Sequence, residues 1–110
     1  NRFRTLLSSI VEKEEMVPTE FKLDQNYPNP FNPNTKIRFA VPVTSDVILK
    51  IYDALGREVI ELVNQELNAG VYSIEWDAKN ILGIEVPSGM YIYRITADNF
   101  SQSRKMILLR

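Results

Sequence analysis

The chain has 110 residues, of which 45% are hydrophobic and 25% are charged, proportions that are ordinary for one soluble globular domain. Its 13 basic and 14 acidic residues leave a formal net charge of −1, which excludes binding to nucleic acid through bulk positive charge. The sequence contains no cysteine and no histidine, which excludes disulfides, thiolate chemistry and a Ser–His–Asp triad. Because the chain begins at Asn1 and not at Met, we expect it to be a piece of a longer protein.

The first 20 residues differ in pattern from the rest. Their apolar positions fall at helical spacing (Phe3, Leu6, Leu7, Ile10 and Val11) and are followed by the charged run Glu12-Lys13-Glu14-Glu15. A helix of about 11 residues is marginal in isolation. We therefore predict that residues 1–20 are a linker or the tail of a preceding domain, with a short amphipathic helix as the alternative. The glutamates at 12, 14, 15 and 20 should keep this stretch solvated and accessible.

A Pro-rich segment follows, with prolines at 28, 30 and 33. Proline fixes φ and removes a backbone donor, so such a segment cannot join a β-ladder. We interpret it as a rigid clasp formed by Tyr27, Pro28, Asn29, Pro30 and Phe31, with both aromatic rings packed against the body of the domain. The alternative is a Pro-rich ligand for the aromatic groove of a partner.

Strand patterns fill the remainder of the chain. Apolar and polar residues alternate over 36–41, and further strand-like runs cover 47–52, 57–63, 72–76, 90–97 and 100–109. Turns are predicted at Gly56, at 68–70 and at 98–99. The looser stretch 77–88 is predicted to hold a short edge strand at 84–86. Because no helical period interrupts these runs, residues 21–110 are predicted to form an all-β domain, an Ig-like antiparallel β-sandwich of about seven strands.

Two groups of side chains are candidate sites. The aromatic residues Tyr72, Trp76, Tyr91 and Tyr93 are interpreted as core or cross-strand pairs, with a carbohydrate-binding platform as the alternative. Asp77, Asn80 and Glu85 lie in one loop, but their spacing does not match a calcium-binding loop. Asp77 and Asn80 are interpreted as turn-capping residues, and we predict no metal, no cofactor, no small-molecule substrate and no catalysis.

The last strand is the strongest candidate for a binding element. Residues 99–110 contain Arg104, Lys105 and Arg110 but no acid, and include the apolar run 106–109. A strand at the edge of a sheet can pair with a strand of another protein, and the positive charge here favours an acidic docking surface. Pairing of the same edge in two copies predicts a homodimer as a second use.

Six separated motifs resemble the type A C-terminal sorting domain of the bacterial type IX (Por) secretion system. They are Gln25–Pro33, Ile51–Val59, Ala69-Gly70, Trp76-Asp77, Pro87–Arg94 and Lys105–Arg110. The Tyr-Asp-x-x-Gly-Arg and Trp-Asp elements are also similar to the Ig-like domain of flagellar hook-capping proteins. Both families commonly have glycine where this chain has Ala78, a departure that concerns the turn geometry there.

The resemblance implies a secretion signal. The parent protein would cross the periplasm, be recognised by an outer-membrane translocon and reach the cell surface or the extracellular space. A sortase-like surface peptidase would cut the linker near Glu12, Glu14, Glu15 and Glu20. The residues that match the family's terminal motifs, and that we carry over as translocon contacts, are Gly89, Tyr91, Lys105, Met106, Leu108 and Arg110. The competing hypotheses are a structural or carbohydrate-binding module of a secreted enzyme and a hook-cap Ig domain.

Overall fold

The computed structural model describes residues 11–14 and 16–110, which form an antiparallel β-sandwich. The eight strands are β1 (Glu12–Glu14), β2 (Lys22–Leu23), β3 (Thr35–Val41), β4 (Ser45–Asp53), β5 (Glu58–Leu67), β6 (Gly70–Trp76), β7 (Gly89–Ala97) and β8 (Phe100–Leu108). One sheet has the order β1-β6-β3-β2 and the other β5-β4-β7-β8. The predicted all-β sandwich is confirmed, with eight strands instead of about seven. Within the described residues, no helix is long and apolar enough to cross a membrane.

The period-two pattern of the sequence explains the two layers. In β3 the side chains of Ile37, Phe39 and Val41 are buried, and in β4 those of Val47 and Leu49 are buried. Successive side chains of a strand point to opposite faces of its sheet, so each strand contributes one apolar face to a single core between the layers.

The strand β1 lies inside the stretch that was predicted to be a linker, so residues 12–14 belong to the sandwich. This strand pairs with the edge of β6. Its charged side chains have partners on the first sheet: Arg38 Nε lies 2.7 Å from a Glu14 carboxylate oxygen, and the Lys13 ammonium lies 5.7 Å from the centre of the Tyr72 ring. Charge at these positions therefore indicates contacts within the domain and not a solvated linker. The helical pattern predicted from Phe3 to Val11 falls outside the described residues except for Val11.

The predicted edge strand at 84–86 is wrong. This segment makes one isolated antiparallel bridge, between Lys79 and Glu85, and otherwise follows a loop. Gly83, with φ of 79°, turns the chain back just before it. The N–H groups of Asn80 and Val86 then donate to the carbonyls of Ile84 and Ala78, so the segment pairs within its own loop and does not extend either sheet.

Aromatic side chains fill the centre of the core. Trp76 packs edge-on against Tyr91, with ring centroids 5.5 Å apart, and against Phe31 at 5.8 Å. The four aromatic residues considered for a sugar platform, which are Tyr72, Trp76, Tyr91 and Tyr93, are each at most 5% exposed. The core interpretation is confirmed, and the platform alternative is wrong because none of these four rings faces solvent.

Candidate docking surface

The Pro-rich clasp lies against the last strand. The Phe31 N–H donates to the Ile107 carbonyl (2.9 Å), and the Leu109 N–H donates to the Phe31 carbonyl (3.0 Å). The Asn29 side-chain oxygen accepts the N–H of Ile107 at 2.9 Å. The clasp therefore covers the final residues of β8 as a short parallel partner.

Only one of the two clasp aromatics is buried. Phe31 is 2% exposed and belongs to the core, as predicted, whereas Tyr27 is 80% exposed, contrary to the prediction. The backbone of Tyr27 forms an antiparallel bridge with Lys36. The bridge fixes the backbone of Tyr27 without requiring its ring, so the ring remains in solvent.

Buried polar side chains hold the clasp in shape. Asn26, which is 2% exposed, donates from Nδ2 to the Pro28 carbonyl (3.1 Å) and to Thr35 Oγ1 (2.9 Å). Its backbone N–H donates to the Tyr93 hydroxyl at 2.7 Å, and that hydroxyl donates to the Asp24 carbonyl at 2.6 Å. The three X–Pro bonds at 28, 30 and 33 are cis. Sequence reasoning missed this network, and its only signal was an asparagine before the prolines and a threonine after them.

The free edge of β8 is half covered. The main-chain groups of Ile107 point away from β7 and are taken by the clasp, and the Lys105 carbonyl accepts Gln25 Nε2 at 2.8 Å. Because outward groups alternate along an antiparallel edge, those of Ser101 and Ser103 face the same way. The predicted terminal edge strand is therefore open at Ser101 and Ser103, partly covered at Lys105, whose carbonyl is bonded to Gln25, and closed beyond it.

The predicted recognition residues do not form one surface. Tyr91, Met106 and Leu108 are at most 4% exposed, whereas Gly89 and Lys105 are exposed. Strand alternation is the reason, because Lys105 and Met106 point to opposite faces of the sheet. The same alternation exposes Ile107 and Leu109, which the family motifs did not single out, to 36% and 54%.

Arg110 fastens the end of the chain to the loop 77–88. Its Nε donates to the Val86 carbonyl (2.6 Å) and its Nη2 to the Ala78 carbonyl (2.8 Å). The backbone N–H of Arg110 donates to Ser88 Oγ at 2.8 Å. The guanidinium, whose Nη1 also lies 3.8 Å from Glu85, thus holds this loop in place as well as lying at the predicted docking surface.

The loop 77–88 is ordered by its own side chains. Asn80 Oδ1 accepts the N–H groups of Leu82 (2.9 Å) and Ile84 (3.0 Å), which confirms the capping interpretation for Asn80. Ala78 is fully buried and has φ of 62°, so alanine here adopts the left-handed conformation that glycine adopts more easily. Among the described residues, no group of three or more acidic side chains is placed to hold a metal ion.

The Tyr-Asp-x-x-Gly-Arg motif builds the turn between β4 and β5. Asp53 Oδ1 accepts the N–H groups of Leu55 and Arg57, both at 2.9 Å, and Gly56 supplies the positive φ of 84°. The backbone N–H of Arg57, followed by its side chain and the Leu55 N–H, lowers the pKa of Asp53 against the opposing effect of burial. The motif is therefore accounted for by turn formation.

The linker acids lie in different settings. Glu12 and Glu14 are in β1, and hydrogen bonds from Arg38 lower the pKa of Glu14. Glu20 is exposed in the connection between β1 and β2, and Glu15 falls outside the described residues. The four glutamates therefore do not all share the open linker that was predicted for them.

Comparisons with known proteins support the resemblance seen in the motifs. The profile of the family described as "Secretion system C-terminal sorting domain" matches residues 25–109. In the crystal structure of dimeric latent PorU from Porphyromonas gingivalis, a similar fold covers 87% of this chain and 10% of that one, with a TM-score of 0.66 and 23% identity. PorZ, a surface component of the type IX secretion system of the same bacterium, gives a TM-score of 0.55 and 22% identity over 82% of this chain and 11% of PorZ.

The hook-cap similarity is also present but covers less of the sequence. The basal-body rod modification protein FlgD of Salmonella typhimurium is 45% identical over 53 residues, which are 48% of this chain and 23% of FlgD. The crystal structure of FlgD from P. aeruginosa matches this chain with a TM-score of 0.54 and 20% identity, over 82% of this chain and 74% of FlgD. The chain thus spans about a quarter of the curated relative, and at these identities the solved structures show a shared fold.

Proposed function

Because this chain belongs to the family of secretion system C-terminal sorting domains, we propose that an outer-membrane translocon of type IX recognises it through the last strand and its surroundings. A sorting domain is a secretion signal, so the protein that carries it is destined for the cell surface or the extracellular space. The observation that supports docking at this place is the alternation in β8, which presents Lys105 and Ile107 to solvent while Met106 and Leu108 anchor the strand in the core.

Point variants test this better than truncation. Deleting 105–110 would remove Met106 and Leu108 from the core and the hydrogen-bond partners of Phe31, so loss of export could reflect unfolding. Exposed side chains can be changed without that cost, since surface substitutions usually alter stability by no more than about 0.5 kcal/mol.

The test uses a reporter fused to the N-terminus of this chain in a bacterium that has a type IX system. We expect Lys105→Glu to leave the reporter in the periplasm, because it reverses the charge offered to an acidic partner. Lys22→Glu, an equal charge change at an exposed position of β2, is the matched control and should be exported normally. Equal export of both variants, with unchanged melting temperatures, would show that Lys105 is not part of the recognised surface.

We also propose that a surface peptidase removes the domain by cutting between β1 and β2, within residues 16–20. A peptidase needs an accessible segment. The strand β1 does not offer one, because it is hydrogen-bonded to β6 and Glu14 is bonded to Arg38, whereas residues 16–20 lie outside any strand. Mass spectrometry of the shed domain should give a first residue between 17 and 21. A first residue at or before 14 would contradict the proposal.

A further inference from the structure

Exposed aliphatic side chains are concentrated at one end of the sandwich. The strands β4, β6 and β8 end where β3, β5 and β7 begin, as the pairs Thr35–Trp76 and Gly89–Leu108 show. This end carries six of the nine large aliphatic side chains that are exposed among the described residues: Leu55, Ile81, Leu82, Ile84, Ile107 and Leu109, with exposures of 36–77%. We call these six side chains the apolar end. The other three, Met16, Val17 and Val43, lie at or near the opposite end.

The apolar end is held rigidly although its side chains are in solvent. Asn80 fixes the turn that carries Leu82 and Ile84, and Asp53 fixes the turn that carries Leu55. Ile81 also lines a groove of about 600 Å³ together with Ile60 and Leu62 of β5. Single exposed apolar residues are normal. A concentration of exposed apolar residues at one end of a domain instead indicates an interaction site.

Three basic side chains at this end are paired with carboxylates within the chain. Arg57 Nε lies 2.8 Å from Asp53 and Lys50 Nζ lies 3.2 Å from Glu58, while Arg110 lies 3.8 Å from Glu85. Binding to an anionic lipid surface depends on clustered basic residues. Here these three basic groups face a carboxylate, and Lys79, which is exposed in the loop 77–88, is a single cation and not a cluster.

We propose that the apolar end is a docking face for a protein whose contact surface is apolar and uncharged. The inference rests on the proposed secretion role, in that the partner is a component of the export machinery. It adds apolar contacts to the electrostatic contact of Lys105, which lies beside Ile107 on the same face of β8. The partner would then recognise one end of the domain through both apolar contacts and the charge of Lys105.

The experiment is export of the reporter fusion carrying Leu55→Ser with Leu82→Ser, two side chains that are 77% and 76% exposed. We expect exported reporter to fall about tenfold or more, the effect of losing about 1.4 kcal/mol of binding, with the melting temperature unchanged. Leu109→Ser, on a different segment, should act in the same direction. The control is Val43→Ser, which removes an exposed apolar group at the other end and should be exported normally.

Export of the Leu55 and Leu82 variant at the control level would overturn the inference. A reporter lacking 21–110 separates this failure from failure of the proposed function, because retention of that reporter keeps the secretion role intact. Two further outcomes would also overturn the assignment to a protein partner. These are flotation of the isolated chain with phosphatidylcholine–phosphatidylglycerol vesicles, and dimerisation in sedimentation, where either one is abolished by the Leu55 and Leu82 changes.

Discussion

The hydroxyl group of Tyr93, in the second sheet, is hydrogen-bonded to the residues that come just before the Pro-rich clasp. It accepts the N–H of Asn26 and donates to the carbonyl of Asp24, and the side chain is fully buried. Burial raises the pKa of Tyr93 to about 12, although the hydrogen bond from Asn26 acts in the opposite direction. The hydrogen bond donated to Asp24 therefore requires this hydroxyl to remain protonated.

Alkaline pH should for that reason destabilise the domain. Unfolded tyrosine titrates near pH 10, so between about pH 10 and 12 the folded state binds more protons than the unfolded state, and the free energy of unfolding falls as pH rises. Below pH 10 this contribution is fully present. Urea unfolding at a series of pH values measures the slope, to which Tyr91 also contributes because burial raises its pKa.

Tyr93→Phe should make that slope shallower and should cost about 1–3 kcal/mol at pH 7, because the buried Asn26 N–H loses its acceptor. Tyr27→Phe, at an exposed ring, is the control and should change neither quantity. An unchanged pH slope in Tyr93→Phe would mean that the hydroxyl ionises as readily in the folded protein as in the unfolded chain.

The two clasp aromatics differ in their energetic roles. Phe31 packs against Trp76 in the core, whereas Tyr27 lies in solvent. We expect Phe31→Ala to lower the free energy of unfolding by about 3–5 kcal/mol and Tyr27→Ala to change it by no more than about 0.5 kcal/mol. Chemical denaturation of both variants checks this, and similar losses in the two would contradict the assigned positions.

At the scale of elements, the clasp is hydrogen-bonded to the end of β8 although Asn29 and Ile107 are 78 residues apart in sequence. The outward amides of Ile107 and Leu109 are bonded to the clasp, while the alternation of the edge strand leaves those of Ser101 and Ser103 pointing to solvent. Amide hydrogen exchange followed by NMR should therefore show slow exchange at 107 and 109 and fast exchange at 101 and 103.

Asn29→Ala should speed exchange at Ile107 more than at Leu109, since only the first amide uses the Asn29 side chain. Asn32→Ala, at an exposed position of the same segment, is the control. Equal protection of Ile107 in Asn29→Ala and in the wild type would show that the side chain does not close the edge.

The alternation of apolar and polar residues made most strands predictable from sequence, and strands without it were not predicted. The runs 36–41 and 90–97 lie inside β3 and β7, because a core on one side imposes a period of two. The strands β1 and β2 have three and two residues, too few to show any period. The buried pairing of Asn26 with Thr35 and Tyr93 joins residues up to 67 positions apart, a contact that no local pattern encodes.

The candidate site was predictable only in part for the same reason. Family motifs drew attention to 105–110 as a whole, but they do not separate residues that hold the fold from residues that face a partner. Placing Met106 and Leu108 in the core and Ile107 and Leu109 in solvent required only the alternation of β8. The contacts made by Arg110 to the loop 77–88 required the tertiary structure.

At the scale of the whole molecule, the two sheets are joined differently along their two sides. Between β2 and β8, the rings of Phe21 and Phe100 stack with centroids 5.2 Å apart, and Arg104 Nε donates to the Leu23 carbonyl at 2.7 Å. The side formed by β1 and β5 instead borders the groove of about 600 Å³. Because the side between β2 and β8 is closed and the clasp also contacts the core, we expect that the sheets cannot separate without disrupting the core.

Unfolding should consequently be a single cooperative transition. Trp76 is the only tryptophan, and from β6 in the first sheet it contacts Tyr91 in the second sheet and Phe31 in the clasp. Its fluorescence therefore reports on the place where three parts of the domain meet, whereas far-ultraviolet circular dichroism reports on the strands. In urea the two signals should give the same midpoint, as two-state unfolding requires. A fluorescence midpoint clearly below the dichroism midpoint would mean that the clasp and the core between the sheets open while the strands persist, and the sandwich would then be two weakly joined layers.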